Sequence, residues 1–113
     1  DLPSNDSFTL SLLTNEEVLK MHRESTNVRQ LYQEDGKVAV TSENKHNGDV
    51  YLALFNISDD ELPESVSIDL NDINIDEECT VIDIWSGESL GKFSDTFSQE
   101  LAAHASGLFL IRK

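Results

Sequence analysis

The feature that most constrains this chain is a change in the spacing of its apolar residues near position 27. Before that point the apolar residues follow helical spacing. After it they alternate with polar residues, and turn signals recur roughly every 8–12 residues. Short alternating segments at this spacing are typical of an antiparallel sandwich or barrel. The sequence therefore predicts an all-β domain over residues 26–113, a sandwich or barrel of about eight strands, preceded by a short helical segment.

Turn signals and alternation divide the second part of the chain into strands. Asp35-Gly36 is a strong hairpin signal, because both central residues of a type I′ turn need a positive φ. Residues 50–56 are apolar on both faces and predict a central strand, whereas residues 65–70 alternate as a strand with one buried face does. The predicted strands are 28–33, 38–42, 50–56, 65–70, 79–85, 90–93, 95–101 and 107–112.

The first 25 residues have the pattern of helices. Thr14 and Glu17 fit a capping box, in which the Thr14 hydroxyl accepts from the backbone N–H of Glu17 and the Glu17 carboxylate accepts from that of Thr14. The sequence predicts a helix over about 15–24 and a shorter helix over about 5–13. Neither could bury its apolar face alone, so we interpret residues 1–25 as a remnant of the end of an upstream domain.

The charge of the chain excludes several classes of partner. Its 22 acidic and 8 basic residues give a formal net charge of −14. Phosphate binding needs a basic patch, and no Lys or Arg occurs between Lys45 and Lys92. Nucleic acid and anionic membranes are therefore not expected partners, and no apolar run approaches the ~18 residues of a transmembrane helix.

The single cysteine, Cys79, excludes an internal disulfide and is interpreted as a small buried apolar residue.

The acidic residues cluster in turns, where their carboxylates are expected to be solvated. One cluster partly resembles a calcium loop, but Glu77 stands where that loop needs glycine and Asp83 where it needs a bidentate glutamate. Ile73 and Ile75 within it have the spacing of inward-facing side chains. The histidines show no metal-ligand spacing, so we predict no catalytic, cofactor-binding or metal-binding residues. The groups considered are Asp59, Asp60, Glu61 and Glu64, then Asp72, Asn74, Asp76 and Glu78, and finally His22, His46 and His104.

The polar aromatic residues allow two interpretations. Trp85 ends a predicted strand, and it is either a core or interdomain anchor or an exposed ring that stacks on a sugar. The core interpretation is the favoured one, and it applies equally to Tyr32 and Tyr51. Two glycosylation sequons also occur, beginning at Asn5 and at Asn56, and a pattern this short is a weak signal.

Four stretches of the sequence resemble, in the right order, parts of the α-galactosidase (melibiase) glycoside hydrolases. Residues 13–18 are similar to the last helix of their catalytic barrel, and residues 52–56 to a strand that opens one sheet of their C-terminal domain. Residues 82–93 resemble the family's D-(V/L)-W-(S/A)…L-G-x-F stretch. Residues 102–110 resemble its closing strand, with Ala103 where proline is usual.

The resemblance implies a non-catalytic C-terminal domain of a family 27 type glycoside hydrolase. Its fold is expected to be an antiparallel Greek-key β-sandwich of about eight strands over residues 26–113, with residues 1–25 as a remnant of the end of the upstream barrel. In that family the catalytic carboxylates lie on strands of an upstream (β/α)8 barrel, and no position here matches them. The expected partner is that barrel, in the same polypeptide, and the expected location is secreted or periplasmic. The chain alone is not expected to be an enzyme or to hold a cofactor. The alternative is a carbohydrate-binding module that makes weak sugar contacts.

Overall fold

A computed structural model describes residues 16–113 of the chain. The helix predicted over 5–13 and the Thr14 cap lie outside the described residues. The helix α1 spans Glu16–Glu24 and confirms the helix predicted over 15–24. No helix within the described residues has the length and apolar character needed to cross a membrane.

Eight antiparallel strands in two layers follow α1, and a short 3-10 helix at Leu70–Ile73 lies between the fourth and the fifth strand. The large sheet has the order β1-β2-β3-β8-β5-β6, and the small sheet pairs β4 with β7. This confirms the predicted sandwich, and it confirms that the third strand is central. The chain crosses between the layers after β3, β4, β6 and β7, as a Greek-key connection requires. The strands are β1 (Ser25–Glu34), β2 (Lys37–Asn44), β3 (Val50–Asn56), β4 (Glu64–Asp69), β5 (Cys79–Asp83), β6 (Ser89–Phe93), β7 (Thr96–Leu101) and β8 (Ser106–Arg112).

The main core lies between the two sheets, on what we call the inner face of the large sheet. Leu52 and Leu54 reach it from β3, and Val66 reaches it from the small sheet; all three are fully buried. Phe97 of the small sheet packs edge-on against Phe109 of β8, with ring centroids 5.0 Å apart. This burial of apolar surface between the layers is the dominant stabilising term of the fold.

A smaller apolar cluster lies on the opposite, outer face of the large sheet. Tyr51 of β3 and Leu110 of β8 are register partners, and each is only 2% exposed. They are buried because they cluster with Val18 of α1 and with Ile84. The helix therefore covers one part of the outer face, close to the end of the sheet where the chain enters the domain.

The turns explain where several strands begin and end. Asp35 and Gly36 both have positive φ, at 51° and 76°, which confirms the predicted hairpin. The first strand begins at Ser25, earlier than predicted. It contains an irregularity where Asn27 adopts a φ of 56° and the register with β2 shifts.

The strand predicted over 79–85 is wrong at its last two residues, because β5 ends at Asp83. The Asp83 carboxylate accepts hydrogen bonds from the backbone N–H groups of Trp85 at 2.9 Å and Ser86 at 3.3 Å. An aspartate that bonds to backbone N–H groups two and three residues ahead favours a turn over a continued strand. Trp85 consequently lies in the turn and not in the sheet.

Candidate interaction surface on the outer face of the large sheet

Five apolar side chains beside the α1 cluster form what we call the outer patch. Val40 of β2 lies opposite Ala53 of β3, and Ala53 lies opposite Leu108 of β8. In a neighbouring row Val38 lies opposite Phe55. Because side chains alternate along a strand, all five point away from the main core. All five are half-buried, and all but Leu108 lie outside the cluster that α1 covers.

The outer patch is uncharged in a chain whose formal net charge is −14. An open groove of about 380 Å³ runs between the patch and α1, and its lining includes Met21, Val28, Val40 and Leu108. Val28 at the rim is 68% exposed. No Asp or Glu lines the groove, whereas hydrolysis of a glycoside uses two carboxyl groups that face each other. The groove is therefore suited to receive apolar side chains and lacks the groups for glycoside hydrolysis.

The polar aromatic residues are packing residues in this structure. Trp85 is half-buried beside the cluster that joins α1 to the sheet, and Tyr51 is buried within that cluster. Tyr32 packs against the main core instead, and its hydroxyl donates to the carbonyl oxygen of Ser67 at 2.7 Å. Burial raises the pKa of Tyr32, and the negative charge of Glu34 acts in the same direction. These three rings therefore do not form the exposed, coplanar platform that sugar stacking would need.

Asn44 joins the end of α1 to the large sheet, which sequence reasoning missed. Its side chain is 2% exposed, and its Nδ2 donates to Glu24 Oε1 and to the Tyr51 hydroxyl, both at 3.1 Å. Its Oδ1 accepts from the backbone N–H groups of His46 at 2.8 Å and Asn47 at 3.2 Å. An asparagine just before a polar loop is a turn signal, but the contact with Glu24 spans 20 residues and has no local signature.

Asn56, which begins a sequon, has a structural role. Its side chain is fully buried, and its Nδ2 donates to the Leu101 carbonyl at 2.9 Å. Its Oδ1 accepts from the Ser58 backbone N–H at 3.0 Å and from the Ser58 hydroxyl at 2.8 Å. The Ser58 hydroxyl oxygen also lies 3.0 Å from Glu64 Oε2, so its one proton can be donated to either acceptor. The other carboxylate oxygen of Glu64 lies 3.8 Å from the Lys37 ammonium group. The amide nitrogen to which a glycan would be attached is therefore buried and hydrogen-bonded inside the fold.

Most of the loop carboxylates are solvated as the sequence predicts: Asp59, Asp60, Glu61, Asp72, Asp76, Glu77 and Glu78 are all exposed. The prediction is wrong for Glu64, which begins β4 and is half-buried because its carboxylate contacts the Ser58 hydroxyl. Ile73 and Ile75 are buried, at 5% and 3% exposure, which confirms that they face inward. Within residues 16–113 the structure brings together no group of three or more His, Cys, Asp or Glu side chains that could hold a metal ion.

The histidines are scattered over the described chain, and one of them makes a contact that the sequence does not reveal. His104 Nε2 lies 2.7 Å from Asp59 Oδ1, and both side chains are exposed. The two residues are 45 positions apart and meet because the loops before β4 and before β8 lie at the same end of the sandwich. His22 and His46 are exposed elsewhere.

Cys79 is buried in the main core, as predicted. Its thiol contacts the Phe93 carbonyl oxygen at 3.5 Å. Burial raises the pKa of this thiol, and the neighbouring carboxylate of Glu78 raises it further. A raised pKa leaves the thiol protonated near neutral pH, so it behaves as an apolar core group and not as a nucleophile.

Comparisons with known proteins identify a family of glycoside hydrolase domains. Residues 35–111 match the family described as the α-galactosidase C-terminal β-sandwich domain. A search of curated proteins found no match to this chain.

Among solved structures, the chain is similar to the family 27 β-L-arabinopyranosidase of Geobacillus stearothermophilus, with 39% identity and a TM-score of 0.88. The match covers 96% of this chain and 24% of that one. An α-galactosidase from Mortierella vinacea shares 17% identity with a TM-score of 0.79, over 93% of this chain and 28% of its own length. At that lower identity the likeness shows the fold alone. This chain therefore spans only a minor part of each of these proteins.

Proposed function

This chain belongs to the family of α-galactosidase C-terminal β-sandwich domains, and from that premise we propose how it works within a longer protein. It is the non-catalytic C-terminal domain of a family 27 glycoside hydrolase. It packs on the catalytic barrel that precedes it in the same polypeptide and stabilises that barrel. The relatives support a substrate for the parent enzyme among α-galactosides or related sugars such as arabinopyranosides.

The observation that carries this proposal is the outer patch. Apolar side chains such as Val40 and Leu108 form a neutral surface in an otherwise strongly acidic chain. Contiguous apolar surfaces of this kind mark interaction sites. An interdomain contact within a chain covers about 600–1,500 Å², a scale that suits a surface made of the patch, the groove and part of α1.

The path of the chain supports the preceding segment as the occupant of this surface. The helix α1 packs on the outer face through Val18, so its first residue, Glu16, lies on the same side of the large sheet as the outer patch. A partner that is covalently attached there has a high effective concentration at the patch. We propose that α1 is the final helix of the barrel, which makes it part of both domains.

Enzyme assays test the non-catalytic role. The 113-residue chain is purified and incubated with a chromogenic α-galactoside and with a chromogenic β-L-arabinopyranoside. We expect no turnover above a buffer control, because the groove lacks facing carboxylates. Turnover that survives repurification in constant ratio to this chain would overturn the proposal.

A matched pair of charge substitutions tests the docking surface. Ala53→Asp places a charge in the middle of the outer patch, and Ser65→Asp places the same charge on an exposed position of β4 in the small sheet. Both are introduced into the polypeptide that continues upstream in the same reading frame. We expect Ala53→Asp to lower its thermal midpoint and to shorten its active half-life, because a charge buried at an interface centre costs roughly 2 kcal/mol or more. We expect Ser65→Asp to change neither quantity, and equal effects of the two substitutions would contradict docking through the outer patch.

A further inference from the structure

We propose that Asn44 is a positioning residue that clamps α1 onto the outer face of the large sheet. While Asn44 holds α1 on the sheet, α1 and the outer patch form one preformed docking surface. The benefit rests on the proposed function, because preformed surfaces bind with less loss of conformational freedom. The clamp itself is a property of this chain and can be tested without the catalytic barrel.

The amide oxygen and the amide nitrogen of Asn44 contact different parts of the fold. Its Oδ1 closes the loop after β2 by accepting from two backbone N–H groups, a role local to the sequence. Its Nδ2 reaches out of the loop to Glu24, the last residue of α1, and to the Tyr51 hydroxyl on β3. A buried amide with its donors and acceptor satisfied in this way is costly to disturb. The helix contact can therefore be broken while the loop contact is kept.

The helix end is built to meet this clamp. A carboxylate in the last turn of a helix is unfavourable, because the C-terminal end carries partial negative charge. Glu24 nevertheless occupies that position, and it accepts from the buried Asn44 amide. The Glu24 carbonyl also accepts from the Lys45 backbone N–H at 2.9 Å, and the Met21 carbonyl accepts from the Ser25 hydroxyl. Lys45 and Ser25 thus donate to carbonyl groups at the end of α1 that would otherwise lack hydrogen-bond partners.

Asn56 supplies a matched control elsewhere in the fold. It is also a buried asparagine whose Oδ1 closes a local turn and whose Nδ2 bridges to a distant element. Its distant partner is the Leu101 carbonyl of β7 in the small sheet, whereas α1 packs on the outer face of the large sheet. The same substitution at the two positions therefore distinguishes loss of a buried hydrogen bond in general from loss of the helix clamp.

The decisive experiment reverses the polarity of one hydrogen bond. Asn44→Asp keeps the oxygen that closes the loop but places a carboxylate against that of Glu24. Glu24→Gln alone keeps the acceptor. The double variant Asn44→Asp with Glu24→Gln restores a bond in the opposite direction, since the glutamine amide introduced at the helix end can donate to the new carboxylate. Asn56→Asp is the control.

Two readouts follow the helix separately from the sandwich. The first is hydrogen exchange of the α1 amides, compared with amides of the ladder between β3 and β8. The second is the emission maximum of Trp85, the single tryptophan, which packs in the cluster that α1 covers. With Asn44→Asp we expect roughly tenfold to hundredfold faster exchange in α1 and a red shift of Trp85, while the ladder changes little.

The remaining variants show whether a change in α1 comes from the Asn44–Glu24 contact or from a general loss of stability. We expect Glu24→Gln to stay within about threefold of wild type in α1 exchange, and the double variant to recover most of the lost protection. We expect Asn56→Asp to lower global stability with neither helix readout changed under native conditions. If Asn44→Asp does not fold, Glu24→Ala serves instead, since it removes the acceptor and leaves the loop intact.

The proposal fails if Asn44→Asp, or Glu24→Ala in its place, leaves both helix readouts at wild-type values. It also fails if Glu24→Gln gives no recovery in the double variant, or if Asn56→Asp loosens α1 equally. All of these measurements use the 113-residue chain alone. The two proposals are therefore tested independently. A negative result for Asn44 does not decide whether the outer patch docks the barrel, and a negative result with Ala53→Asp does not decide whether Asn44 positions α1.

Discussion

The two faces of the large sheet are built from the same strands and have different degrees of closure. On the inner face Leu52, Leu54 and Val81 are completely buried beneath the small sheet. On the outer face the helix buries Tyr51 and Leu110, but the neighbouring outer patch stays half-buried. The inner face is completed by this chain itself. The outer face is apolar beyond the cluster that α1 covers, as the proposed docking of a neighbouring domain requires.

Consecutive residues of β8 show the difference most directly. Phe109 points inward and is 1% exposed, while Leu108 points outward and is half-buried in the outer patch. Both are apolar and both lie in the same strand, so composition alone would assign them the same role. What differs is the layer that each one faces. The inner position supports the fold of this chain, whereas the outer position packs only at the edge of the α1 cluster and keeps part of its surface exposed.

The largest expected effect comes from removing the inner ring. Phe109→Ala should lower the free energy of unfolding by about 3–5 kcal/mol, because it deletes buried surface and leaves a cavity beside Phe97. Leu108→Ala, one residue earlier, should cost less than about 1.5 kcal/mol in this chain. Urea unfolding of the two variants measures both values. Equal costs would show that the two faces are equally closed.

A second test crowds the inner face instead of emptying it. A Cβ atom at Gly107 would lie 2.7 Å from Cζ and 2.8 Å from Cε2 of Phe109, whose ring is locked in the core. Gly107→Ala should therefore destabilise the chain by about 1–3 kcal/mol. Adding Phe109→Leu removes the ring, so the double variant should cost less than the sum of the single changes. A Gly107→Ala chain as stable as wild type would contradict this packing.

A smaller effect is expected from a hydroxyl on the outer face. Tyr51→Phe removes an acceptor from the buried Asn44 amide and should cost about 0.5–1.5 kcal/mol. Tyr32→Phe is the matched control, because its hydroxyl bonds to the carbonyl of the exposed Ser67, which water can reach instead. Thermal unfolding of both variants provides the comparison. A larger cost for Tyr32→Phe would mean that the outer cluster is less closed than its burial indicates.

The smallest effect is a pH dependence from the inner face. The pKa of the Cys79 thiol is raised above 9.0 in the folded chain, mainly by burial. The unfolded chain therefore loses this proton at lower pH than the folded chain does. The stabilising contribution is complete below pH 9.0 and is lost as pH rises through the folded pKa. Cys79→Val should flatten the fall in unfolding free energy above about pH 9, as measured by urea unfolding over that range. An unchanged slope would mean that other groups account for it.

Much of the fold could be predicted because its signals are local. The Asp35-Gly36 turn, the alternation of β4 and the helical spacing of α1 each depend on neighbours a few residues away. Even the error at the end of the fifth strand has a local cause, since the Asp83 carboxylate bonds to backbone groups within three residues. The inward direction of Ile73 and Ile75 was likewise readable from spacing.

The interaction surface could not be predicted in the same way. Residues 50–56 were recognisable as apolar on both faces, but nothing in the stretch tells which face the small sheet covers. The outer patch exists because register sets Val40, Ala53 and Leu108 in one row, although they come from three separate strands. The Asn44 clamp and the His104–Asp59 contact span 20 and 45 positions in the chain.

The amino-acid sequence by itself determined the class of fold, because the period of apolar residues and the chemistry of turns act between close neighbours. It also determined the family, since four stretches keep their order along the chain. Tertiary structure alone decided which apolar side chains became core and which stayed available, because that depends on the layer each strand meets. It also decided the role of Asn44, whose amide joins a helix end to a strand far along the chain.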